Sequence, residues 1–190
     1  MKNIVSIIAL TLCIPFTTFS QVSNIGLASQ EYSKDITEYV SKEYLITKIL
    51  KIPESMLIGV EIDAITASNS GELSTIVYNC EQLEKRGILL IFWTGDLSYI
   101  DGNRGYGFLH LEYDTAIDLF TKLSTANKHK KSILNQGKDW NVVFRWADLH
   151  FVFWVDNTMN KIRVFWNGYD SEWSSSNLKT TAKRFFKSFE

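Results

Sequence analysis

Residue types that staple, break or ligate are scarce in this chain of 190 residues, which has two cysteines, two prolines and three histidines. Cys13 lies in an apolar N-terminal run, so beyond that run Cys80 is alone and no intrachain disulfide can form. A lone thiol in an oxidising compartment is either buried or paired between chains. Free cysteine is among the most buried residue types, so burial is the expectation. Cys-x-x-Cys and His-Glu-x-x-His are both absent, and the histidines are His110, His129 and His150, so no metal site or cofactor is expected. Beyond the N-terminus no segment approaches the roughly 20 apolar residues of a membrane-spanning helix. The net charge is −1, with no basic excess to recruit nucleic acid and no acidic tail. No serine sits in a Gly-x-Ser-x-Gly elbow. Gly102, Gly105 and Gly107 precede neither a helix nor a Lys-Ser/Thr pair, which argues against a phosphate cradle. No catalytic residue is assigned.

The N-terminus carries the most specific signal. Met1-Lys2-Asn3 is a basic start, residues 4–16 are apolar, and Thr18-Phe19-Ser20 puts small residues at the −3 and −1 positions of a cut before Gln21. Such an arrangement reads as a secretory signal peptide. Leu12, preceding Cys13, is not the small residue that a lipoprotein signal requires. Residues 1–20 are thus read as a leader and 21–190 as a single domain, secreted or periplasmic. Hydrophobic residues make up 45% and charged residues 22%, ordinary values that argue against disorder.

Periodicity supplies the elements. Residues 31–50 space Ile36, Val40, Tyr44 and Ile49 as a helix that Pro53 stops. Residues 56–66 alternate like a strand, with Met56, Ile58, Val60, Ile62 and Ala64 on one face. A turn at 68–71 leads to a second strand at 72–80. The run 88–93 (ILLIFW) is apolar on both faces and suits a central strand covered on both sides. A glycine-containing loop holds Asp96, Asp101 and Asn103, read as turn chemistry rather than a calcium loop because the spacing does not match an EF-hand. A strand at 106–113 precedes a middle helix in which Ala116, Ile117, Phe120 and Leu123 recur at three and four, with Lys128 to Lys131 at its end. The last helix begins near Ser175 or Ser176, with Leu178, Ala182, Phe185, Phe186 and Phe189 as its apolar stripe. Lys179, Lys183 and Lys187 form a solvated stripe on its other side. Strands in runs, joined by turns, imply an α+β fold: a mainly antiparallel sheet of about six or seven strands with an N-terminal, a middle and a C-terminal helix packed on it. No internal repeat is visible.

Residues 139–168 read as a three-strand unit. If Ala147-Asp148 is the first loop, Trp146 faces Leu149, Phe144 faces Phe151, Val142 faces Phe153 and Trp140 faces Val155, all on one apolar face. Pairing Val155 with Ile162 extends that face through Val164 and Trp166. The opposite face then carries Arg145, His150 and Asn167 in one row, Val143, Val152 and Phe165 in the next, and Asn141, Trp154 and Arg163 in the third. Trp154, Arg145, His150, Arg163 and Asn167 are therefore the candidate ligand-binding residues: an aromatic plate beside hydrogen-bonding groups can stack on a sugar or a peptide. The expected function is an exported, non-enzymatic binding or interaction module with a protein or glycan partner, such as an inhibitor or a toxin-neutralising protein. The alternative is an envelope or extracellular hydrolase using His110 or His150 with a carboxylate as acid and base. His110-x-Glu112 and Asp148-x-His150 are the pairs at strand period that such chemistry would draw on.

Overall fold

The computed structural model describes residues 39–65, 73–93, 106–134, 141–156 and 159–190. The leader, the first part of the expected 31–50 helix, the turn at 68–71, the glycine-containing loop up to Gly105, and Trp140 lie outside the described residues. The first described element is α1 (described over 39–50), whose last turns, Leu45–Leu50, are wound as a π-helix. It ends at Lys51, which takes the left-handed C-cap conformation (φ 52°) two residues before Pro53. Four strands follow: β1 (Glu61–Ala64), β2 (Ser74–Cys80), β3 (Lys85–Trp93) and β4 (Tyr106–Glu112). Then come α2 (Tyr113–Leu134), β5 (Val142–Trp146), β6 (Leu149–Asp156), β7 (Met159–Trp166), β8 (Tyr169–Ser174) and α3 (Ser175–Lys187).

The fold is α+β with three helices, but the strands form two antiparallel sheets of four, ordered β1-β2-β3-β4 and β5-β6-β7-β8. The expected single sheet of six or seven strands is corrected on two counts. First, the 22-residue α2 separates β4 from β5. At about 1.5 Å per residue it spans roughly 33 Å, far enough for a new sheet to start. Second, Asn167-Gly168 is a turn with both φ angles positive (47° and 82°), which folds the chain back into β8. Asn-Gly is the strongest short-range hairpin signal, because both residues tolerate left-handed φ. Each half therefore runs four strands and then a helix, an order that the sequence does not advertise as a repeat. The first strand is also shorter than expected: residues 56–60 lie outside it and Leu57 is exposed.

The two sheets share one core. Val77, Ile88, Leu90, Phe92 and Leu111 of the first sheet meet Phe151, Phe153, Ile162, Val164 and Trp173 of the second. Ala116, Leu119, Phe120 and Leu123 of α2 and Leu178, Ala182 and Phe185 of α3 close the same cluster. The expected apolar face is thus in place, with Phe144 and Trp166 at its margin and Phe185 rather than the exposed Phe186 at its centre. Polar ties cross between the halves. The Leu73 N–H donates to the Glu172 carbonyl (3.1 Å), the buried Trp173 Nε1 donates to the Leu73 carbonyl (2.7 Å), and Arg184 donates to the Ile65 carbonyl (3.1 Å). Gly107 lets β4 meet the ring of Tyr169, whose atoms would lie 2.9 Å from a Cβ there.

The other face of the first sheet lies under α1. Leu45 and Leu50 pack on Tyr78 and Cys80, and Tyr44 stacks on Phe108 at 4.6 Å. Consequently β3 is buried on both faces from Ile88 to Phe92, as its uninterrupted apolar run requires. Cys80 is fully buried. The middle helix runs past its expected end at Lys128 to Lys131 and continues to Leu134, with Lys131 in its last turn and Lys130 turned inward.

Candidate functional site

Two surfaces hold the residues that the sequence singled out. The first is the outward face of the second sheet. Between β5 and β6 the register is the expected one, with Val142 opposite Phe153, Phe144 opposite Phe151 and Arg145 opposite His150. Ala147 begins the turn with φ 47°, a conformation that costs a Cβ-bearing residue some strain. Between β6 and β7 the register is shifted by two residues: Phe153 lies opposite Ile162 and Phe151 opposite Val164. Asp156 pairs directly with Met159, so the loop is two residues long instead of the four, 157–160, that pairing Val155 with Ile162 implies. A two-residue shift keeps every side chain on its face and changes only the rows.

The corrected rows are Arg145–His150–Phe165–Asp170, then Val143–Val152–Arg163–Glu172, then Trp154–Lys161–Ser174. Asn167 leaves the first row, because it occupies the hairpin turn at the rim of the sheet. Arg163 is ion-paired with Asp170, and Lys161 with Glu172. Arg163 thus leaves the row of Trp154 and pairs with β8, a strand that the sequence reading did not include. Arg145 donates from Nε to the Ala147 carbonyl (3.1 Å), and His150 is exposed. Val143 (68% exposed) and Phe165 (43% exposed) stand open on this face, around the half-buried Val152 and Trp154. Apolar side chains interleaved with ion-paired charges suit contact and stacking rather than proton transfer.

The second surface is a polar cleft of about 430 Å³ where the end of α1 meets β2, β3, β4 and the start of α2. Lys48 and Lys51 come from the helix end, Lys85 and Arg86 from β3, and His110 and Glu112 from β4. In the cross-strand row Tyr78–Gly87–Glu112 the central strand has no side chain. A Cβ on Gly87 would lie 2.3 Å from the Leu111 carbonyl oxygen, so only glycine permits this approach of β3 to β4. The Tyr78 hydroxyl lies 2.7 Å from His110 Nε2. Burial, reinforced by the charge of Glu112, pushes the phenol up to about 12. Burial also lowers the imidazole below its ordinary value, against the opposing pull of Glu112. At neutral pH the phenol therefore donates and the neutral imidazole accepts at Nε2.

That bond occupies the lone pair that a general base would use. Lys85 is likewise engaged, donating to the Ile49 and Leu50 carbonyls at 2.8 and 3.1 Å and so holding the end of α1. Arg86 lies over the Tyr113 ring at 3.9 Å. The cleft is in large part a clamp that fastens α1 to the sheet. Sequence reasoning had isolated His110-x-Glu112 but missed Tyr78 and the helix end. The available signal was Gly87, because a lone glycine inside a strand pattern marks close backbone approach. His150, the other histidine of the hydrolase alternative, has Arg145 and Phe165 as its cross-strand neighbours.

The chain matches no family model, no curated protein and no solved structure. Among the described residues, no helix is long and apolar enough to cross a membrane.

Proposed function

We infer that the chain is an exported interaction module, directed out of the cytoplasm by residues 1–20, that binds a protein or glycan partner through the outward face of the second sheet. The observation that supports this reading most is the exposure of Val143 and Phe165 on a sheet whose inner face is already filled by core. Trp154, Arg145, His150 and Arg163 lie on the same face, and Asn167 lies at its rim. Aromatic and aliphatic groups supply contact area, while Arg145 and His150 supply direction through hydrogen bonds. An inhibitor or a toxin-neutralising protein works in this way, by covering a surface. The hydrolase reading is the weaker one, because His110 Nε2 is committed to Tyr78.

Photo-crosslinking groups placed singly at Val143, Phe165 and Lys122, in cells exporting the protein, test the face. Lys122 lies on α2 and serves as an exposed control. The expected result is one adduct of common mass from positions 143 and 165, none from 122, and competition by unlabelled protein but not by its Trp154→Ala variant. Adducts from position 122 alone, or adducts from 143 and 165 that both proteins compete equally, would overturn the assignment.

A further inference from the structure

Lys130 is 2% exposed, yet no carboxylate is described against it. Its amine donates to the Ser175 hydroxyl (2.5 Å) and lies 5.1 Å from the centre of the Phe153 ring. Ser175 opens α3, since Ser174 is the N-cap and its hydroxyl accepts from the Asn177 N–H. A cation is badly placed there. The N-terminus of a helix carries partial positive charge, and the next residue on α2, Lys131, is cationic. Among the described groups around the amine, the π face of Phe153 and the accepting Ser175 hydroxyl favour its charged form, and neither carries a charge. A lysine that merely tied two helices would be expected to meet a carboxylate or a carbonyl. This one meets a hydroxyl, whose own proton is directed at Asn127 Oδ1 (3.3 Å), one turn earlier on α2.

We propose that Ser175 and Lys130 form a nucleophile–base pair, and that the protein carries an acyl-transfer activity toward small activated esters, separate from the outward sheet face. Once the amine is neutral the Ser175 hydroxyl turns from Asn127 to donate to it, and Lys130 takes that proton from Oγ as Oγ bonds to the acyl carbon. The bond to the leaving group then breaks, and the leaving group receives that proton from the Lys130 ammonium. Water, deprotonated by the same amine, attacks the acyl-serine and releases the acid and the free hydroxyl. In the first turn of α3 the N–H of Asn177 is taken by the cap, and those of Ser175 and Ser176 are the ones nearest the nucleophile in the chain. They are the natural donors to the developing oxyanion. Ser175 is half-buried, so the acyl group must be small or slender. Burial, with a smaller effect from Lys131, lowers the Lys130 amine to about 8, so the base form is plentiful in mildly alkaline solution.

The test uses the whole exported chain, a fluorophosphonate probe and p-nitrophenyl acetate. One adduct is expected, on Ser175, with a rate that rises with pH and levels off above about 8. Lys130→Arg keeps the charge and the donors but cannot act as a base, and should slow labelling by about 100-fold or more while the protein stays folded. Lys130→Met should do the same with melting at or above that of the parent protein. If Lys130→Arg does not fold, the Met variant decides. Adducts on Ser174 or Ser176, labelling unchanged in the folded Lys130 variants, or no adduct at pH 9 would each overturn the proposal.

Discussion

Replacing Lys130 with Met should remove a pH dependence of stability that the parent protein shows. The amine titrates near 8 in the folded chain, against an ordinary value of 10.5. Between those values the unfolded chain holds a proton that the folded chain has released. Stability therefore rises with pH across that window and is at its low plateau below about 8, where both states are charged. A shift of this size corresponds to at most about 3 kcal/mol at 1.36 kcal/mol per pH unit. The hydroxyl partner softens the desolvation, so about 1–2 kcal/mol is the working expectation. Tyr78 works in the opposite direction, because its folded-state value lies at about 12 and its contribution is lost only as pH rises above 10. The useful window is thus pH 8 to 10. Urea unfolding followed by tryptophan fluorescence at pH 7.5, 8.5 and 9.5 should show the parent gaining stability and the Met variant nearly flat. At pH 7.5 the Met variant should also be the more stable protein, since an apolar side chain of similar length replaces a buried cation. Parallel pH profiles for the two proteins would refute the burial argument.

Three further substitutions probe the core. Phe153→Ala empties a fully buried position in the shared cluster and should lower stability by about 3–5 kcal/mol in urea titrations. Gly87→Ala sets a methyl against the Leu111 carbonyl and should cost about 1–3 kcal/mol, read as a lower melting temperature with loss of the Tyr78–His110 bond by NMR. The buried Thr75 hydroxyl has no hydrogen-bond partner among the described residues, so Thr75→Val should raise stability by roughly 1 kcal/mol in thermal melts.

Local rules carried well wherever one side chain faced one neighbour. The β5–β6 register followed from two constraints together, the two-residue loop at Ala147-Asp148 and an apolar face that a one-residue slip would scatter. The double burial of β3 was readable because its apolar run has no polar alternation. The next hairpin was harder for a physical reason. Shifts of two residues conserve the face, so burial cannot choose among them and only loop length does. A four-residue loop and the observed direct pairing of Asp156 with Met159 are therefore equally consistent with the apolar pattern. Asn167 was assigned to a binding row because its side chain can hydrogen-bond. Followed by Gly168 it is better explained by backbone conformation, and that reading would have supplied β8 and with it the count of eight strands.

What stayed hidden was the partner of each buried charge, because that is a tertiary fact. In sequence Lys130 is one of three lysines among four residues, indistinguishable from a solvated helix end. Its burial follows from α2 running on to Leu134 and from β8 delivering the first turn of α3 against it. The exposed Arg163 depends on tertiary structure in the same way for its partner. Its pairing with Asp170 requires a strand that returns along β7, and without that strand the guanidinium could be assigned to Trp154 or to a ligand. The hairpin at Asn167-Gly168 thus decides two matters at once. It sets the outward face by pairing the cations of β7 with β8, leaving Val143, Val152, Trp154 and Phe165 as the surface with contact area to offer. It also places Ser175 immediately after β8, within reach of a lysine 45 residues earlier in the chain.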